Sequence, residues 1–170
     1  LCHMAEDIWQ NIPYALDEES VFQRGWPKVT KQWQNNNLNS PISIIRELRT
    51  SVNRVLEECR NDQEIGSSLE VALRIEPDQS TLLEAINFLY EHGHKDVDNL
   101  RDWLLVSNLQ IGGEPWAEIL NSQKLGLGLI EITKARGHKC ARCWHYEPDI
   151  GSSKKHEKLC ARCIDVLSRI

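Results

Sequence analysis

The sequence predicts an α+β protein in three parts: a partial helical bundle over residues 1–65, a small mixed α/β module over 66–135, and a four-cysteine knuckle over 136–170. Three observations predict it. Apolar residues recur at three- and four-residue steps along one stretch of the first part. Beyond Gly66 they alternate, with a helical stretch between the alternating runs. Near the C-terminal end, two Cys-x-x-Cys pairs stand 16 residues apart. At 170 residues, 41% apolar and 26% charged, the chain can bury one ordinary core or two small ones. Aromatic and branched residues recur throughout, which excludes disorder over most of its length.

Residues 1–10 read as the end of a helix, with Ile8 and Trp9 inward, Glu6 and Asp7 outward, and Pro13 as the stop. A chain that starts inside a helix, at Leu1, reads as a piece of something longer. Residues 20–26 read as a short extended run, and 28–39, with Asn35, Asn36 and Asn37, as a polar surface loop. Ser40 as cap and Pro41 in the first turn open a long helix. Its apolar face is Ile42, Ile45, Leu48, Val52, Val55, Leu56 and Cys59, from about 41 to 62. If partner helices are missing, this face and that of residues 1–11 would stand open.

Leu69, Val71, Leu73 and Ile75 alternate with polar residues as in a half-buried strand ended by Pro77. Ser80 or Asp78 can cap a helix with Leu82, Leu83, Ile86, Leu89 and Tyr90 inward, closed by Gly93. Residues 103–111 and 126–133 read as two more strands. A helix between strands predicts a mixed sheet with helix on one face.

Charge is unevenly placed. Residues 1–133 carry 11 Lys and Arg against 21 Asp and Glu, whereas 134–170 carry nine against four. The acidic bulk excludes nucleic-acid binding by the whole surface, but the basic C-terminal part can bind locally or pair with the acidic body. No apolar run approaches the ~20 residues that cross a bilayer, and there is no leader-like start, so a cytoplasmic chain with no membrane partner is expected.

Cys140-Ala-Arg-Cys143 and Cys160-Ala-Arg-Cys163 carry the most information. Zinc takes four soft ligands in a tetrahedron, and two intervening residues let a tight turn aim both sulfurs at one point. Two such turns complete a shell, so one structural zinc is predicted. Four protein ligands leave no open position for activated water, so no catalytic role is assigned to it. The knuckle has little apolar mass of its own, and metal binding supplies what its core lacks. His138, His145 and His156 lie near and could each replace a cysteine. Cys2 and Cys59 read as ordinary buried or half-buried thiols.

Lys139, Arg142, Trp144, His145, Tyr146, Lys154, Lys155, Lys158 and Arg162 surround the cysteines. Two readings stand. Cations interleaved with aromatic rings bind phosphates and stack on unpaired bases. Alternatively the aromatics, Trp144 among them, pack around the metal while the lysines are solvated. A purely structural or protein-docking zinc module without RNA contact then remains, as does an independent zinc-ribbon protein of DNA repair or the ribosome. Other patterns carry no chemistry. The GLGLIE run at 126–131 lacks the third glycine of a dinucleotide loop and reads as strand entry. His92 and His94 near Asp96 and Asp98 read as a charged helix exit. Glu84 and Glu91 share a helix face without forming an acid/base pair.

With these residues in place, the chain resembles the C-terminal region of bacterial-type isoleucyl-tRNA synthetases over nearly its whole length. LCHMAEDIWQNIP at 1–13 resembles a helix of the family's anticodon-binding bundle, and SVFQRGWP at 20–27 the segment that follows. Residues 46–75, with Ile-Gly-Ser-Ser-Leu-Glu at 65–70, resemble the long helix, turn and strand that lead out of the bundle. GHKCARCWHYEPDIG at 137–151 and LCARC at 159–163 resemble the zinc knuckle, a finger type shared with formamidopyrimidine-DNA glycosylases. The joint occurrence of the two signatures makes the resemblance specific. Cys2 stands where the family pattern has proline.

The resemblance implies a non-catalytic piece of an ATP-dependent isoleucine–tRNA ligase that grips the anticodon region of tRNA(Ile) alongside the remainder of the synthetase chain. The family's HIGH and KMSKS motifs do not occur here; HGHK at 92–95 and SKKH at 153–156 are no substitutes. The knuckle carries over Cys140, Cys143, Cys160 and Cys163 as zinc ligands. Arg142, Lys154, Lys155 and Arg162 near the metal, with Arg49 and Arg54 on the long helix, are the expected phosphate or base contacts.

Overall fold

The computed structural model describes residues 1–93 and 99–169, so His94, Asp96 and Asp98 lie outside the described residues. The chain divides into two compact units, Leu1–Asn36 and Asn37–Ile170.

In the first unit, helix α1 (Cys2–Gln10) ends at Asn11, before Pro13. Glu6 is half-buried rather than outward. Its carboxylate accepts from the Ser20 hydroxyl at 2.9 Å and the Val21 amide at 3.2 Å. Trp9 is half-buried, and its Nε1 donates to the Glu18 carbonyl at 3.1 Å. Ile8, expected inside, is 60% exposed, and α1 buries none of its residues. The reason is local: the only other α-helix in this unit, α2 (Val21–Arg24), is a single turn. That turn also replaces the extended run expected at 20–26. Ser20 caps it by accepting from the Phe22 amide at 3.3 Å, so capping chemistry outweighs the apolar pattern there. The polar loop is exposed as expected, apart from short 3-10 turns at Lys31–Trp33 and Asn36–Leu38.

The second unit opens with α3 (Asn39–Asn61). It is capped at Leu38 rather than Ser40, with Pro41 in the first turn, where a missing N–H costs no hydrogen bond. Ile45, Leu48, Val52, Val55, Leu56 and Cys59 are buried as its period predicts, and Ile42 is half-buried. The face is therefore not open. It belongs to one core with Leu82, Ala85, Ile86 and Leu89 of α4 (Ser80–His92) and with Val71, Leu73 and Ile75 of β1 (Val71–Pro77). On α4, Leu83 and Tyr90 point outward at 42% and 51% exposure, and Ala85 takes the inward place instead. Gln79 is the cap residue rather than Ser80 or Asp78, and Gly93 closes the helix.

The sheet has four strands in the order β2-β1-β4-β3 and is mixed, as predicted. These are β2 (Asn108–Ile111), β3 (Asn121–Leu125) and β4 (Gly128–Lys134), with β1 parallel to β2 and antiparallel to β4. Central β1 is buried on both faces from Val71 to Ile75, not on one. Its second face is sealed by Arg74, whose guanidinium pairs with Glu131 at 2.5 Å and Glu76 at 2.6 Å and donates to the Gly113 carbonyl at 2.7 Å.

Residues 103–111 are only partly strand. Asn99 caps a short helix, α5 (Leu100–Leu104), by accepting from the Arg101 amide at 3.0 Å, and Leu105 in a left-handed conformation (φ 55°) turns the chain into β2. Strand β3 carries no strand signal in the sequence, because its residues are mostly polar. Between β3 and β4 the Gly126-Leu-Gly run forms a hairpin turn. At Gly128 a Cβ would lie 2.3 Å from the Glu76 carbonyl oxygen, so strand approach explains the glycine. Among the described residues no helix is long and apolar enough to cross a membrane.

Candidate metal centre and basic surface

The knuckle is built from a two-stranded ribbon, β5 (His138–Lys139) and β6 (Tyr146–Glu147), and helix α6 (Ala161–Ser168). Gly137 (φ 97°) enters it where a Cβ would stand 2.4 Å from the Glu147 carbonyl. The first Cys-x-x-Cys turn closes on itself. The Cys140 amide donates to the His145 carbonyl at 2.9 Å, and the Trp144 amide donates to the Cys140 carbonyl at 3.0 Å. Trp144 takes φ 66° to complete the reversal. The second pair sits at a helix start, with Cys160 as the cap residue of α6. Two bonds tie the turns together: Ala141 N–H to the Lys158 carbonyl at 3.0 Å, and Cys160 N–H to the Cys140 sulfur at 3.4 Å. The Asp149 carboxylate accepts from the Ala161 amide at 2.7 Å and so anchors the start of α6.

The four sulfurs of Cys140, Cys143, Cys160 and Cys163 all lie within 4.8 Å of one another. Sulfurs about 2.3 Å from one tetrahedral centre stand about 3.8 Å apart; those of Cys143 and Cys160 are 3.7 Å apart. A disulfide needs about 2.05 Å, and all six cysteines are free. Three of the four are buried and Cys143 is half-buried. Burial alone would raise the Cys140 thiol, but the amides of Cys143, Cys160 and Arg142 outweigh it and bring it down to about 6. Burial pushes Cys143 and Cys160 up instead. Four thiols packed this closely can all ionise only around a cation, which is the donor set zinc requires. None of the three histidines joins the cluster. Among them, His145 is buried, and burial, reinforced by the Arg101 guanidinium, holds it below the usual imidazole range.

The knuckle is fastened to the sheet edge. Ser107, fully buried between α5 and β2, donates to the Leu69 carbonyl and accepts from the Tyr146 amide at 2.7 Å. Arg101 of α5 pairs with Glu147 at 2.9 Å, and Arg162 of α6 with Asp102 at 3.3 Å. Nothing in the sequence marks Ser107 or Asp102 as supports; for Asp149 the turn-forming Asp-Ile-Gly run at 149–151 is the one available signal.

The predicted cationic contacts divide into two places. Arg49 and Arg54 are exposed on α3, with the Arg54 Nε 3.8 Å from the Glu58 carboxylate. Arg142, Lys154, Lys155 and Arg162 are exposed on the knuckle. Two of these are already engaged: Arg142 Nη1 lies 3.8 Å from the Cys163 sulfur within the knuckle, and Arg162 reaches out to Asp102 of α5. Trp144 does not pack around the cysteines. It is 60% exposed, and the Lys139 ammonium lies 5.6 Å from its ring centroid.

Comparison with known proteins places the chain. Residues 1–76 match the anticodon-binding domain of tRNA ligase, and residues 137–166 match the zinc finger found in FPG and IleRS. Over all 170 residues the chain is 65% identical to isoleucine–tRNA ligase of Prochlorococcus marinus (strain MIT 9211). The chain belongs to the isoleucine–tRNA ligase family and corresponds to its C-terminal region. The Parasynechococcus marenigrum (strain WH8102) ligase is 56% identical over 169 residues, covering 99% of the chain. The ligase of Synechococcus sp. (strain CC9311) is 56% identical over the same extent. The chain spans 18% of the length of the Prochlorococcus relative and 17% of the Parasynechococcus one. The zinc-finger match and the four-thiol cluster together support one structural zinc.

Proposed function

We propose that this chain is the tRNA-gripping part of a cytoplasmic, ATP-dependent isoleucine–tRNA ligase, with the chemistry carried elsewhere in the synthetase chain. Its partner is the anticodon region of tRNA(Ile), whose unpaired bases are the part of an RNA that side chains can read. In this reading residues 1–65 end the helical anticodon-binding domain, 66–135 form an α/β junction and 136–170 form the knuckle. Cys140, Cys143, Cys160 and Cys163 hold the zinc, which bridges the two turns and fixes the chain between them. It supplies no catalysis.

One observation carries the reading: the four sulfurs converge inside a module whose outer face is cationic while the rest of the chain is acidic. Of the four predicted knuckle cations, Lys154 and Lys155 are the ones left to meet phosphates, because Arg142 and Arg162 already have partners. Arg49 and Arg54 are two further exposed cations on α3.

Binding of the zinc-loaded chain to tRNA(Ile), titrated at several salt concentrations, tests this. Affinity falls steeply with salt, and changing both Lys154 and Lys155 to Glu weakens it about tenfold or more and flattens the salt dependence by about one unit of slope per lost phosphate contact. Binding that ignores both salt and the charge reversal would overturn the phosphate-gripping role and leave a purely structural knuckle.

A further inference from the structure

The sheet face turned away from α3 and α4 carries a cavity of about 600 Å³. Its floor is a row set by strand register: Asn108 of β2, Ala72 of β1 and Thr133 of β4 lie side by side. Because Ala72 is the central member of that row, the floor is deep where a larger side chain would fill it. One wall is Trp116, from the loop between β2 and β3. Another edge is Lys134 to Arg136, the segment that runs from β4 into the knuckle.

The wall is held in place. The Trp116 indole N–H donates to the Gln110 side-chain oxygen at 2.9 Å. The same Gln110 amide donates to the Gly112 carbonyl at 2.8 Å and the Glu114 carbonyl at 3.1 Å. Arg74 grips the loop again through the Gly113 carbonyl. The other edge is fixed by Gly137, which sits against the Glu147 backbone, so Arg136 adjoins the knuckle directly.

The volume falls within the range of small-molecule sites. An anchored indole offers a stacking surface, the Asn108 amide offers a donor and an acceptor to a base edge, and the Thr133 hydroxyl, which donates to the Lys134 carbonyl at 3.3 Å, offers an acceptor. Glu118, also on the lining, can accept from a base amino or imino group. Lys134 and Arg136 bring two cations to a part of the chain that is otherwise acidic. We propose that this cavity takes one unpaired nucleotide of the bound RNA, its base against Trp116 and its phosphate toward Lys134 and Arg136. The proposal rests on the RNA-binding reading above and adds to it a site on the sheet, apart from the zinc centre.

The test compares the zinc-loaded full chain on three RNAs: tRNA(Ile), a short single-stranded RNA, and a fully paired duplex with as many phosphates. Ala117→Leu places bulk at the exposed rim of the cavity without changing charge or adding a second stacking ring. It lowers affinity for the single strand about tenfold, the scale of one lost base stack, and leaves the duplex unchanged. Trp116→Ala gives the same selective loss, whereas changing Lys134 and Arg136 to Gln weakens the single strand and the duplex alike. Zinc content and thermal midpoint of each variant, equal to those of the parent, establish that the fold is intact. If tRNA(Ile) still binds and both Ala117→Leu and Trp116→Ala leave single-strand affinity unchanged, the cavity is no nucleotide site and the gripping role stands. If no RNA binds at all, both fail.

Discussion

Arg101 Nη1 lies 2.9 Å from the Glu147 carboxylate, joining the sheet edge to the knuckle ribbon across 46 residues of chain. Both side chains are only about one-fifth exposed. The same guanidinium group donates to the Ser107 carbonyl at 3.2 Å, so one side chain serves two segments. The knuckle is thus oriented on the sheet by polar contacts as well as held together by its cysteines.

Replacing Arg101 by Ala removes both bonds and leaves Glu147 half-buried without its counter-charge. A loss of about 1–2 kcal/mol in unfolding free energy is expected, with a coupling to Glu147→Gln of roughly 1 kcal/mol in a double-mutant cycle. Additive single-mutant effects in chemical denaturation would show that the pair contributes nothing.

Arg74 and Glu131 form a much less hydrated pair, with side chains 5% and 7% exposed. Breaking such a pair strands a charge in the sheet. Glu131→Leu alone is expected to cost about 3–5 kcal/mol, since Arg74 keeps only Glu76 and the Gly113 carbonyl. Changing Arg74 to Met together with Glu131→Leu recovers much of that loss, because no buried charge is then left unpaired; Glu76, 46% exposed, is hydrated instead. Denaturation midpoints of the single and double variants check this; a double variant as unstable as the single one contradicts it.

What could be read from the residues differs by part. The face of α3 was legible because six of its seven predicted positions are buried, a periodicity no loop imitates. The cysteine cluster was legible because spacing alone constrains it. Helix α5 was hidden because its cap, Asn99, precedes an apolar run, Trp103–Ile111, that also suits a strand; the switch happens at Leu105, whose left-handed backbone has no residue-type signal. Trp144 was misplaced for a similar reason. Its positive φ turns the ring out of the knuckle, and no rule of composition predicts that. The struts Ser107, Asp102 and Asp149 join residues distant in sequence, so only the fold reveals them.

The six thiols fall into three environments that chemistry can count. Cys2 is exposed, four cysteines share one close-packed cluster, and Cys59 is fully buried in the main core; of the two thiols expected to be buried or half-buried, Cys59 is and Cys2 is not. Burial, then the nearby Glu64 charge, pushes the Cys59 thiol up, so the folded chain holds it neutral. A group raised in the folded state lends stability below its unfolded pKa, about 8.5 for a thiol, and loses it as pH rises through the folded value. Near neutral pH that contribution is intact and Cys59 is unreactive. A thiol reagent added to the zinc-loaded chain should therefore titrate one group quickly. Chelation should release four more, together with loss of the β5–β6 ribbon signals, because the knuckle depends on its metal. The sixth should react only in denaturant. More than one fast thiol before chelation, or fewer than four released by it, would contradict a closed four-sulfur shell.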